Sequence, residues 1–270
     1  MLCMIVAIVN EKGGCGKSVT AANLGYTLTE RGRRVLLVDF DPQGNLTTAL
    51  GVDKRSLGRT VQDVAEEVCG LGEAVVDAWG VSLLPATIDL AALAVKPEEG
   101  GTRGLASAIR GARYDYILVD TPTGLGGFTL SALHLADAVL IPVQTEFLSL
   151  EGLVQVMRVL SILSKRGRGP GVLGILPTMY DARTKSSRDA LRDIRTHFGS
   201  PVFNTVIPRN VAVTEATARG EPVASCFPDS KAAKAYTELA AEVEGRANTG
   251  TAWLMGAGWR RITAESEGGA

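Results

Sequence analysis

The densest chemistry in the sequence is the run Glu11-Lys12-Gly13-Gly14-Cys15-Gly16-Lys17-Ser18. Its three glycines remove Cβ atoms, so backbone N–H groups can close around phosphate oxygens. Lys17 then offers a point charge to β- and γ-phosphates, and Ser18 a hydroxyl to Mg²⁺. Two acidic runs could complete such a site. One is Asp39-Phe40-Asp41-Pro42-Gln43-Gly44-Asn45; the other is Tyr114-Asp115-Tyr116-Ile117-Leu118-Val119-Asp120, an apolar stretch ending in an acid. Behind a phosphate loop, an acid placed like Asp120 contacts Mg²⁺ through water.

Positioning these groups requires particular elements. Met4 to Val9 is a β-branched apolar run, and the pattern beginning at Val19 is helical, so the glycine-rich stretch is a turn between strand and helix. The spacing predicts a first helix from about Lys17 to Arg31 with Gly32 as its stop. Further strands are expected at Arg34–Asp39, Val81–Pro85, Tyr114–Asp120, Ala138–Val143, Gly171–Thr178 and Val202–Ile207. A short helix is expected near Val61–Val68, a long amphipathic one after Gln144, another over residues 186–198, and a last one over Lys231–Val243. Lys96–Gly101 reads as a surface loop. Apolar strands alternating with helices give an α/β fold: a mostly parallel, doubly wound sheet flanked by helices, with ligands at the carboxyl ends of the strands. Residues 1–246 are expected to form one domain, and residues 247–270 a disordered tail.

Composition removes several classes. A chain of 270 residues with a formal net charge of −1 is not a polyanion binder as a whole, so nucleic-acid contact needs a local basic patch. No apolar run approaches a membrane span, and the cytoplasm is the expected location. The four cysteines are scattered, and the two histidines leave little for a zinc site or a Ser-His-Asp triad. Cys15 reads as a small tolerated side chain within the loop.

The form K-G-G-x-G-K-[ST] departs from the general G-x-x-x-x-G-K-[ST] pattern by its added Lys12. It resembles the deviant Walker A motif of the ParA/MinD group of P-loop NTPases, and the order of motifs from about Ile5 to Val243 resembles partition ATPases of the Soj/ParA type. That resemblance implies ATP and Mg²⁺ as cofactors, with Gly13, Gly14, Cys15, Gly16, Lys17, Ser18 and Val19 around the nucleotide. It also implies an ATP-dependent homodimer in which Lys12 reaches the other subunit's phosphates, as an arginine finger would. Asp41 would orient the attacking water and help hold the metal's water shell, with Asp39 in support; Pro208 and Asn210 of Ile207-Pro208-Arg209-Asn210 would sit beside the adenine. Thr121-Pro122-Thr123-Gly124 departs from the group's usual D-x-P-P-S switch. The implied partner is a ParB-like centromere-binding protein that stimulates hydrolysis.

DNA is the other implied partner, bound without sequence preference, which would associate the protein with the nucleoid. Arg183 stands in the group's D-A-R-T motif, while a second expected arginine is replaced by Ala212. If residues 186–198 are helical, Arg188, Arg192 and Arg195 form a basic stripe able to track phosphates. A MinD-like ATPase attached to membrane by an amphipathic tail containing Trp253, Trp259, Arg260 and Arg261 is the alternative, though Gly256 and Gly258 weaken a helix there. A ligase using the same loop is a third reading, without a visible substrate cluster.

Overall fold

The computed structural model describes residues 3–95, 103–146, 149–167, 169–249, 252–255 and 259–262. In chain order the elements are β1 (Met4–Ile8), α1 (Lys17–Glu30), β2 (Val35–Asp39), α2 (Asn45–Ala49), α3 (Val61–Ala65), α4 (Leu71–Ala74), β3 (Val76–Ala78) and β4 (Val81–Leu84). A 3₁₀ turn over Ile88–Val95 precedes α5 (Arg103–Arg110), β5 (Tyr116–Asp120), α6 (Gly127–Leu135), β6 (Ala138–Gln144), α7 (Ser149–Lys165), β7 (Gly171–Thr178) and α8 (Lys185–Phe198). The chain continues through α9 (Val211–Arg219), α10 (Val223–Cys226), α11 (Lys231–Asn248), β8 (Ala252–Met255) and β9 (Trp259–Ile262).

Among the described residues the strands form one sheet in the order β3-β4-β2-β5-β1-β6-β7-β8-β9. From β4 to β7 every pairing is parallel. Each central strand is apolar at successive positions because both faces are covered. In β1, Ile5 and Ala7 enter one hydrophobic cluster while Val6 and Ile8 enter the other. The sheet reverses direction of growth around β1, β5 and β6, which opens a crevice at the carboxyl ends of those strands. The acids of β2 and β5, and the loop after β1, all emerge there.

Three expectations are corrected. Val202–Ile207 is not a strand; it makes only an isolated bridge, Ile175 with Val202. The N–H groups of Asn204 and Thr205 are taken instead by the Glu242 carboxylate of α11, at 3.0 and 3.1 Å. The domain boundary drawn at residue 246 falls inside α11, which runs to Asn248 and carries the Glu242–Arg246 pair one turn apart. The stretch expected to be disordered contains β8 and β9, paired antiparallel to each other, with Trp253 of β8 opposite Val172 of β7. Strand β7 would otherwise present an open edge of unpaired backbone groups. The surface loop at Lys96–Gly101 lies outside the described residues.

Candidate active site

The glycine-rich loop is held in shape by the chain's own groups. Gly14 and Gly16 take φ angles of +73° and +91°, the left-handed region that glycine alone adopts freely. Two side chains hold the loop's carbonyls: Gln144 Nε2 donates to Gly14 O at 2.8 Å, and Thr178 Oγ1 to Cys15 O at 2.9 Å. Both come from the ends of neighbouring strands, β6 and β7. Each trans peptide places its N–H opposite its carbonyl, so the N–H groups of Cys15 and Gly16 turn away from those two side chains. Asn10 anchors the loop's start, donating to Pro142 O at 2.5 Å and accepting the Lys12 N–H at 3.0 Å. Helix α1 begins at Lys17 behind Gly16, with no side chain capping its first N–H groups, so its positive end is open to an anion. Lys17 is buried. Cys15 is buried too, and that burial pushes its thiol pKa up, consistent with an inert side chain.

The acids meet across two parallel strands: Asp39 of β2 is the direct partner of Asp120 of β5. Asp120 is fully buried, and among the described residues neither carboxylate oxygen accepts a hydrogen bond within ordinary geometry. Burial, then the Asp39 charge, raises its pKa well above the ordinary carboxylate range, while Ser18 and Lys17 act in the opposite direction. An orphaned buried carboxylate beside a serine hydroxyl is a fitting place for a hydrated divalent cation.

Asp39 has a different role. Its Oδ2 accepts the backbone N–H and the hydroxyl of Thr47 at 2.8 and 2.7 Å, and its Oδ1 accepts the Asp41 N–H at 3.3 Å. Thr47 Oγ1 in turn accepts the Ala86 N–H at 3.1 Å. Burial pushes the Asp39 pKa up to about 6 despite these bonds. Asp39 is therefore a knot that ties the Asp41 turn to α2 and to the end of β4. Asp41 accepts the Gln43 N–H at 2.9 Å and Asn45 Nδ2 at 3.3 Å, which fixes its carboxylate.

Lys12 stands at the rim of the loop with its side chain 37% exposed, and its ammonium lies 3.4 Å from Glu146. The other oxygen of Glu146 meets Arg209 at 3.4 Å. On the opposite side, the Gly124 N–H donates to Glu11 O at 3.1 Å, so the loop after β5 leans directly on the phosphate loop.

A cavity of about 530 Å³ opens beside Gly16, lined among others by Val19, Pro208, Asn210, Val213 and Tyr236. The 207–210 segment is tied to the end of β7: Ile207 N–H donates to Pro177 O, and Arg209 N–H to Tyr180 O, both at 2.9 Å. Asn210 caps α9 by accepting the Ala212 N–H at 2.9 Å, so its amide donors are not spent on that cap. Val19, Pro208 and Asn210 thus share one cavity, while Gly13, Gly14, Cys15, Lys17 and Ser18 lie outside its lining; Gly16 joins the two halves.

Helix α8 carries Arg188, Arg192 and Arg195 around one shallow groove. Each has a local partner: Arg188 donates to Ala182 O at 2.7 Å, Arg192 pairs with Asp189 at 2.9 Å, and Arg195 donates to Asn204 O at 3.1 Å. Arg183 is 88% exposed at its side chain and paired with Asp181 at 2.8 Å. The helix start is joined to the sheet through Ser187, whose hydroxyl lies 2.6 Å from that of Thr145, the residue after Gln144. Of Gln144, Thr178, Thr47 and Glu146, only the first two carry a local signal, each being the polar residue that ends an otherwise apolar strand.

A glycine-rich turn from strand to helix, a buried lysine behind it and an orphaned acid on the adjacent parallel strand define a P-loop ATPase. A family model described as an AAA domain matches residues 3–169. The chain is 43% identical over 244 residues to the chromosome-partitioning ATPase Soj of Thermus thermophilus, covering 89% of this chain and 95% of that one. It is 40% identical over 260 residues to the chromosome partitioning protein ParA of Caulobacter vibrioides, covering 90% and 94%. Among solved structures, a cobyrinic acid a,c-diamide synthase from Mycobacterium smegmatis with bound ADP and magnesium has a TM-score of 0.78 at 36% identity, covering 92% of this chain and 96% of that one. MinD of Pyrococcus horikoshii complexed with Mg-ADP has a TM-score of 0.76 at 31% identity, covering 91% and 97%. The chain belongs to the ParA/Soj family of partition ATPases, with ATP and Mg²⁺ as its cofactors. Among the described residues no helix is long and apolar enough to cross a membrane.

Proposed function

We propose that two copies of the chain close face to face over two ATP molecules, hold DNA without reading its sequence, and release it after hydrolysis stimulated by a ParB-like partner. The observation that carries this is the placement of Lys12. It lies at the loop's rim, half-exposed and paired with Glu146 at the surface, whereas Lys17 is buried behind the same loop. One lysine suits the chain's own phosphates and the other suits a neighbour's.

In this reading the N–H groups of residues 13–19 and the Lys17 ammonium bind the triphosphate, and Pro208 and Asn210 flank the base. Ser18 and Asp120 would hold Mg²⁺, which when bound would supply positive charge at the phosphates. Asp41, its carboxylate fixed by Gln43 and Asn45, would orient the attacking water and help hold the cation's water shell. Lys12 adds its charge only when a second chain is present, so hydrolysis waits for pairing. Arg183 and the α8 arginines contact phosphates, and pairing doubles those contacts. Such binding would place the protein on the nucleoid.

The test is light scattering of the Asp41→Ala variant, which should pair and stall, with MgATP and with MgADP. Dimers with ATP alone support the reading; monomers throughout overturn it. DNA binding should follow the dimer. Liposome pelleting that depends on ATP and on residues 247–270 would instead favour membrane positioning of the MinD kind.

A further inference from the structure

The turn between β3 and β4 contains a residue that the phosphate machinery does not explain. Trp79 adopts φ +60°, next to Gly80 at +76°. Two successive positive φ angles make the tight hairpin turn in which asparagine, aspartate or glycine is usual, and a bulky side chain there is a genuine outlier. Such a conformation persists only when its surroundings hold it. Burial does not, since Trp79 is 43% exposed. What holds it is a hydrogen bond from the indole N–H to the carbonyl of Gly220, at 2.8 Å.

Gly220 ends α9 with φ +71°. Its backbone crosses that of Gly51 so closely that a Cβ on Gly220 would collide with the Gly51 Cα, and a Cβ on Gly51 would stand 2.8 Å from the Gly220 carbonyl oxygen. That oxygen is the one taking the indole proton. The two glycines belong to opposite halves of the site. Gly51 closes α2, which hangs from Asp39 through Thr47, and Asp39 also holds the Asp41 turn. Helix α9 supplies Val213, Thr214, Thr217 and Ala218 to the cavity assigned to the base.

We infer that Trp79 is a positioning residue for the nucleotide: its indole bond locks the Gly51–Gly220 crossing and thereby sets the base-side wall against the phosphate half. The inference rests on reading the 530 Å³ cavity as the base site. Trp79 touches no nucleotide; it acts through α9.

Trp79→Asn provides the test, because asparagine tolerates the left-handed backbone while losing the indole donor. Removing one hydrogen bond should raise the KM for ATP and the Kd for MgADP about 2- to 12-fold. Turnover at saturating ATP should stay within about twofold, and the thermal midpoint of the nucleotide-free protein should hold or rise as the strain is relieved. Trp79→Phe keeps the strain but not the donor, so it should show the same loss of affinity with a lower midpoint. A Trp79→Asn protein with wild-type KM and Kd overturns the inference, as does one whose affinity, turnover and midpoint fall together. Ala218→Trp, at an exposed position lining the cavity, separates the two readings. If it leaves MgADP affinity unchanged, the base-site reading falls and this inference with it. If it weakens MgADP binding while Trp79→Asn does not, only the role of Trp79 falls.

Discussion

Replacing Thr47 with valine should separate turnover from nucleotide binding. The hydroxyl is fully buried, donates to Asp39 at 2.7 Å and accepts the Ala86 N–H at 3.1 Å. Valine keeps the shape and removes both bonds. A hydrogen bond to a charged group contributes about 1.5–3 kcal/mol, and a buried N–H left without an acceptor costs about 1–3 kcal/mol. The new methyl returns about 0.8 kcal/mol. The net loss should be about 2–5 kcal/mol, or roughly 5–15 °C in thermal midpoint for a domain of this size. Thr47→Ser keeps both bonds and loses one methyl group, so it should cost about 1 kcal/mol. Because the Asp41 N–H rests on Asp39, the valine variant should lose turnover at saturating ATP while the Kd for MgADP changes little. Thermal unfolding, MgADP titration and steady-state ATPase assays on the two variants give the answer. Equal midpoints for valine and serine, with wild-type turnover in both, would refute the knot at Asp39.

Other expectations follow from single sites. Arg183→Glu should weaken DNA binding and lower the slope of log affinity against log salt by roughly 2 for a dimer, read by fluorescence anisotropy at several salt concentrations; an unaltered slope would remove Arg183 from the contact. Gly124 has φ +85° with open space where a Cβ would stand, so Gly124→Ala should cost about 1–2 kcal/mol through the backbone alone, measured by denaturant unfolding. Glu244 is buried, which by itself would raise its pKa, but bonds from Arg33 and Arg31 outweigh this and hold it below the ordinary 4.5. A depressed carboxylate stabilises above its unfolded pKa and loses that contribution as pH falls through the folded value. As pH falls from about 4.5 through the lowered folded value, wild type should therefore lose stability that Glu244→Gln does not, while the variant is about 1–3 kcal/mol weaker at pH 7.

Much of the architecture was legible because its signals are contiguous. The phosphate loop is eight residues flanked by a strand and a helix of correct period, and the acids of β2 and β5 close apolar runs whose register then makes them partners. What was missed depends on partners distant in sequence. Val202–Ile207 is apolar and β-branched at both ends, but Glu242 of α11, 37 residues beyond Thr205, takes the N–H groups of Asn204 and Thr205 in its middle. Gln144 and Thr178 are single polar residues at strand ends, and nothing local shows that both reach the carbonyls of one loop. The hairpin of β8 and β9 follows from an open edge at β7, a property of the assembled sheet and not of the tail's composition.

The tethers from Gln144 and Thr178 bear on timing as well as shape. Because they grip carbonyls, they leave the N–H groups of Cys15 and Gly16 on the other side of the loop for an anion, and the cradle's shape is held from the ends of two strands. If pairing gates turnover as proposed, a clock built on such a fixed part would be wound elsewhere, by how often one chain finds another.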